Sequence, residues 1–166
     1  MRMGLKRKMM KNMMPKEFGA ISGLFHAGIF TLQSKAIEAW GKSIFKETVF
    51  PEIEKAITKM PNLGIQKVEG ENPEDFMKRF IEVLKDSMLV ENAFLRKKSE
   101  TEFIFTLIDC FMAGPAHKIA GKNGICPMAM VVAAMVEKYL DKEVNPEFSR
   151  LTPVGSITKI NISDKK

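Results

Sequence analysis

The spacing of apolar residues changes once along this chain, and that change sets the fold class. Up to about residue 90, apolar side chains recur every three or four positions, the pattern of helices that bury one face. Phe18, Ile21, Phe25, Ile29, Leu32, Ala36 and Ala39 or Trp40 form one such face, which predicts a first helix buried along that stripe. Gly19, Gly23 and Gly28 on the same helix allow another element, or a ligand, to approach its backbone closely. Ile44, Phe45, Val49, Ile53, Ile57 and Met60 predict a second helix that kinks at Pro51 and stops at Pro61. After a turn-rich stretch over 61–71, Asn72-Pro73-Glu74-Asp75 is a helix start: Asn caps free amides, Pro suits the first helical position, and the acids complement the dipole. Phe76, Phe80, Val83, Leu84 and Leu89 follow on that third helix.

Beyond residue 90 the period shortens. Val90–Lys97 and Thr101–Asp109 read as an antiparallel hairpin turning over Lys97–Glu100. A short helical segment over 110–120 and a nearly all-apolar helix over 126–140 come next. Arg150–Ile162 breaks at Pro153 and Gly155, then alternates with Thr158, Ile160 and Ile162 on one face against Lys159 and Asn161. The expected class is α+β, with helices packed on an antiparallel sheet of about four strands and two hairpins in the C-terminal half.

A chain of 166 residues, 45% hydrophobic and 28% charged, has ordinary globular usage, which argues against wholesale disorder and a polytopic membrane protein. We expect one domain over 15–163 preceded by a basic, Met-rich arm over 1–14. Two cysteines are too few for a disulfide framework, which points to a reducing, cytoplasmic setting. Arg2, Lys6, Arg7, Lys8, Lys11 and Lys16 account for the whole formal charge of +6, so the body is neutral. Nucleic acid is disfavoured as a partner, because its binders carry basic charge on the body. The arm reads as a solvated terminus, as a Met and Lys helix for an anionic membrane surface or acidic partner, or as a polyanion contact. Residues 18–34 lack charge, yet Gly19, Ser22, Gly23, His26, Gly28, Thr31, Gln33 and Ser34 make them a poor membrane span.

One segment concentrates chemistry. Pro127 fits the first position of the helix ending near Leu140, so Cys126 lies at its N-cap, where dipole and free amides lower a thiol pKa. Cys110, Asp109 and His117 lie nearby in sequence. Both cysteines are equally read as small buried hydrophobes. Cys110-x15-Cys126 lacks a paired CxxC, and Cys110, His117 and Cys126 supply at most three ligands, so no metal is assigned. His26 either ligates a tetrapyrrole iron, points into a pocket, or is a core histidine satisfied by one hydrogen bond. Trp40, the only tryptophan, reads as core, and Arg150 as a carboxylate-binding guanidinium or a salt-bridge partner.

Cys110, the Cys126 helix start and the closing Arg150–Ile162 segment resemble the tail of the 4-vinyl reductase domain family, which groups with haem-nitric-oxide-binding domains and TRAPP vesicle-tethering subunits. Gly155-Ser156 stands where the family has Gly-Asp, and Thr158 or Lys159 stands where its terminal cysteine falls. Hydrolases of 2-aminothiazoline-4-carboxylate have a comparable ending. The 4-vinyl reductase resemblance extends to the order of elements over 15–163. It implies a domain, often homodimeric, that encloses a small, largely apolar ligand such as a tetrapyrrole, an aromatic compound or an acyl chain. The zinc set of some members is represented here by Cys126 and Glu147 alone.

Three readings follow. The first is a cytosolic domain binding a small hydrophobic molecule, without evident catalytic apparatus and with the cofactor unknown. Its candidate ligand-binding residues are Cys126, Cys110, His117, His26, Trp40 and Arg150. The second is a hydrolase of a small acid, with Cys126 as nucleophile, His117 as base and Arg150 on the carboxylate. The third is an assembly module docking through the basic arm.

Overall fold

Each element starts where local chemistry lets it. In the computed structural model of the chain, residues 16–59, 68–87, 89–110, 113, 117 and 124–165 are described. The order is α1 (Lys16–Trp40), a π-helical turn (Phe45–Val49), α2 (Phe50–Lys59), α3 (Pro73–Asp86), β1 (Val90–Lys97), β2 (Glu102–Cys110), α4 (Pro127–Leu140), β3 (Lys142–Pro146), β4 (Arg150–Thr152) and β5 (Gly155–Asp164). The class is α+β, with four α-helices and an antiparallel sheet among the described residues, as the change of period implies. The basic arm over 1–14, the Phe18 side chain, Met60, Pro61 and most of the expected 110–120 helix lie outside the described residues.

Asn72 caps α3 by accepting a 3.0 Å hydrogen bond from the Asp75 amide, with Pro73 opening the helix. The kink expected at Pro51 takes the form of the π turn. Proline cannot donate to the carbonyl four residues back, and its ring crowds that group. Widening the preceding turn relieves this, and the Phe50 amide reaches the Phe45 carbonyl instead.

The sheet has five strands where about four were expected, in the order β1-β2-β5-β3, with β4 also on β5. The strand absent from the sequence reading is β3, a five-residue run ending on Pro146 that pairs with the second half of β5. β4 pairs with the first half of the same edge, Arg150 opposite Ile157. Gly155, where β5 begins, is required: a Cβ there would stand 1.9 Å from the Leu107 carbonyl oxygen.

The core lies between the sheet and the helices. α3 crosses β1, α4 lies on β3, and α2 and α3 both pack against α4. Phe76, Met77 and Phe80 from α3, Phe103, Phe105 and Leu107 from β2, and Val132, Ala133 and Val136 from α4 fill it. Lys138 on α4 donates a 2.9 Å hydrogen bond to the Glu54 carbonyl of α2.

α1 departs from expectation. Its apolar stripe faces solvent: Ile21 is 53% exposed, Leu24 68%, Phe25 69%, Ile29 45% and Leu32 72%. The inward face carries His26, Ala27, Phe30, Gln33 and Ser34. Ala27 and Phe30 are buried outside the main core cluster, and the Phe30 ring lies against Gly124 in the segment leading into α4. Trp40, expected in the core, is 69% exposed at the end of α1. Periodicity fixed the helix and its apolar stripe but could not say which face the body would cover.

Candidate functional site

The first amides of a helix have no intrahelical partner, and a buried helix start must satisfy those near it by other means. At the start of α4 side chains do this. The Ile125 amide donates to Gln33 Oε1 at 3.1 Å, and the Cys126 amide donates to Ser149 Oγ at 2.7 Å. Ser149 Oγ lies 2.6 Å from Thr158 Oγ1, and the Ser149 amide donates to the Gly124 carbonyl at 2.9 Å. Gly124 has no room for a side chain, since a Cβ would meet the Phe30 ring at 2.4 Å. A buried polar row thus runs from α1 through the entry of α4 to the inner face of β5. Along that face Ile162 and Ile160 give way to Thr158 and Ser156 as the strand nears Cys126. Among the described residues, the buried Gln33 Nε2 donates no hydrogen bond, and the buried Ser156 hydroxyl stands beside the Cys126 thiol.

Cys126 is the N-cap residue of α4, and its thiol is not activated. Burial pushes its pKa up, outweighing Ser156 and the Ala129 and Met128 amides, which pull the other way. The lowered pKa expected from the helix dipole is therefore corrected: desolvation of a thiolate in a packed interior exceeds what one helix terminus returns. Cys110 is also buried and in no disulfide, at the end of β2, where its amide donates to the Val154 carbonyl at 2.9 Å.

His26 and His117 face each other with Nε2 atoms 3.0 Å apart. His117 Nδ1 is 2.7 Å from the Thr152 carbonyl, which only accepts, so Nδ1 carries the proton. His117 Nε2 then accepts from His26 Nε2–H in the neutral pair. Both nitrogens of His117 are engaged, which leaves neither for a thiol. Burial, and secondarily His117, hold the pKa of His26 down at about 4. The pair fastens α1 to β4 as Gln33 fastens it to α4.

Ile125 also lines a cleft of about 280 Å³ between the π turn and β3. Phe45, Phe50, Ile125, Val144 and Pro146 are its buried apolar floor, and Lys42, Ser43, Lys46, Glu143 and Asn145 its more exposed polar rim. Lys46 pairs with Glu143. The Lys42 ammonium lies 5.5 Å from the centroid of the Phe148 ring and makes no ion pair within 4.0 Å among the described residues. Partial burial lowers the pKa of Lys42 against the pull of Glu147.

The structure thus brings His26 to His117 and sets Cys126 in the polar row beside the cleft wall. Arg150 is exposed on β4, and Trp40 and Cys110 line no part of the cleft. Among the described residues no three histidine, cysteine or acidic side chains gather as a metal site. Glu147, the remaining member of the zinc set implied by resemblance, is engaged by Asn161 and Lys159. Gln33, Ser149 and the rim lysines were not singled out in the sequence. The available signal was polarity at inward positions: a lone amide in the uncharged helix, and hydroxyls where β5 should be apolar.

No protein-family model matches the chain. No curated protein matches it either. Among solved structures it is similar to the crystal structure of the phenol-responsive sensory domain of the transcription activator PoxR with phenol. That likeness has a TM-score of 0.42 at 11% identity, covering 82% of this chain and 74% of the other. A likeness of this size fixes neither family nor ligand. The resemblance to the 4-vinyl reductase family rests on Cys110, Cys126, the Arg150–Ile162 segment and the order of elements. No helix among the described residues is long and apolar enough to cross a membrane.

Proposed function

We propose that this chain is a small-molecule-binding domain whose ligand is a compact, largely apolar compound with one anionic group. The observation that carries this is the cleft between the π turn and β3, an apolar floor under Lys42 and Lys46. Such a lining accepts a ring or short alkyl body, and an ammonium at the rim orients a carboxylate. A volume of about 280 Å³ suits a one- or two-ring compound and is too small for a tetrapyrrole. It lies at the lower end of the usual ligand-pocket range of roughly 300–1,000 Å³. Cys126, His26 and His117 serve this reading by holding the Ile125 wall and α1 in place rather than by touching the ligand. The reading requires no reaction, and a buried thiol with a raised pKa suits packing better than attack.

1-Naphthoate, titrated while backbone amide resonances are followed, tests the reading. Saturable shifts at Phe45, Lys46, Ile125 and Val144 are expected. Lys42→Met should weaken binding about tenfold, the value of one charge-assisted hydrogen bond. Absence of saturation at millimolar acid, or shifts centred elsewhere, would overturn it.

A further inference from the structure

An antiparallel sheet with helices on one side ordinarily turns polar residues to the other. The helices that pack on this sheet share one core with Phe103, Phe105 and Leu107 of β2, so they cover its inner face. The residues between those three, Ile104 and Thr106, and Ile108 beyond them, point to the opposite face and are half-buried. Strand register extends that face across four strands. Phe94 of β1 stands opposite Thr106, Thr106 opposite Ile157 of β5, and Ile157 opposite Arg150 of β4. Thr106 is thus the centre of an apolar cross, with Ile104 and Ile108 two residues either way along β2 and Phe94 and Ile157 on its two sides. Phe94 is 54% exposed.

Two guanidiniums stand at corners of this cross. Arg96 lies opposite Ile104 and Arg150 opposite Ile157, and both are exposed. Neither makes an ion pair within 4.0 Å among the described residues. Lys159, on the same face, is already engaged by Glu102 at 3.0 Å and Glu147 at 3.2 Å. We infer that this face docks an acidic amphipathic helix of a partner protein. The apolar cross is the floor for the helix's apolar stripe, and the two unpaired guanidiniums select carboxylates on its flank while repelling a basic one. Three strand spacings and a two-residue offset separate the Cα positions of Arg96 and Arg150, roughly 16 Å. Three turns of a helix rise about 16 Å, so carboxylates on one flank reach both guanidiniums. Single-stranded nucleic acid fits less well, because Glu102 and Glu147 share the face and the body of the chain carries no net basic charge.

Two synthetic helices of about 18 residues test this, both with Leu along one face, one flanked by Glu and the other by Lys. Each is titrated into the full chain while backbone amide resonances are followed. The Glu peptide is expected to give saturable shifts at Phe94, Thr106 and Ile157 and to bind about tenfold more tightly than the Lys peptide. Arg96→Glu with Arg150→Glu should reverse that preference. Phe94→Ser should weaken the Glu peptide about fivefold by removing part of the floor. All three side chains are exposed, so the variants should fold as the parent does, with circular dichroism as the control. No saturation at millimolar peptide, shifts centred on Leu24, Phe25 and Leu32 of α1, or a preference unchanged in the double variant overturns the inference. So does oligo(dT) that shifts the same residues at lower concentration than the Glu peptide, which would make the face a surface for single-stranded nucleic acid. None of these residues lines the cleft, so the outcome does not depend on whether 1-naphthoate binds there.

Discussion

α1 and α4 look alike as sequences and do opposite work. α1 draws on Ala, Gly, Phe and Ile and α4 on Ala, Met and Val, and both are nearly free of charge over most of their length. α4 is buried almost all round, with Ala129, Met130 and Val132 through Val136 inside the core. α1 shows its apolar stripe to solvent and turns histidine, glutamine and serine inward. Apolar composition states how much surface a helix must hide. It does not state from what, and only the partners decide that.

The sharpest break of this comparison is the same substitution in both helices. Val132→Asp places an unpaired carboxylate in a packed core and should cost about 4–5 kcal/mol, enough to abolish cooperative unfolding in a marginal domain. Leu24→Asp, on the exposed stripe, should change stability by no more than about 0.5 kcal/mol. Urea unfolding followed by circular dichroism reads both. A comparable loss at the two sites would mean that α1 is a core helix whose stripe is covered within its own chain.

Polar fastening also separates the two helices, since α4 is held by packing and α1 partly by hydrogen bonds that titrate. His26 is kept neutral in the folded chain with a pKa near 4, against a free value of 6.5. Between those values the unfolded chain binds the proton and the folded chain does not. Stability is therefore full above about pH 6.5 and is lost as the pH falls toward 4. Allowing for the solvent that still reaches part of the ring pair, the loss is roughly 2 kcal/mol. Denaturation midpoints from pH 7.5 to 4 should fall by that amount, and the His26→Leu variant should lose most of this slope. An unchanged slope in the variant would place the titration elsewhere.

What the sequence disclosed follows the same division. Features set by neighbours in the chain were legible: the Asn72-Pro73 start of α3, the β1 and β2 hairpin, the Pro127 start of α4 and the break before β5. Features set by distant partners were not. β3 is too short to alternate recognisably and exists because β5 has a free edge. Trp40 was read as core because tryptophan usually is. The Cys126 thiol was read from its helix end, when the packing around it decides its pKa. The Gln33 contact spans 92 residues, which no local pattern reports.

That contact supplies a smaller effect. Gln33→Leu leaves the buried Ile125 amide without its acceptor and should cost about 1–2 kcal/mol, read by urea unfolding. The same change at Thr31, on the solvent side, should be close to neutral. Equal costs would mean that α1 is fastened by its outer face rather than by the polar row.

The smallest effect is also the most discriminating. Glycine inside a helix is less favourable than alanine by about 0.5–1 kcal/mol, because it loses more backbone freedom on folding. Gly28 sits mid-helix, and a methyl there touches nothing within 4 Å. Gly28→Ala should therefore stabilise the dilute chain by about that amount, shown as a higher urea midpoint. A loss instead of a gain would mean that the outer face of α1 is covered at this position, as packing covers α4.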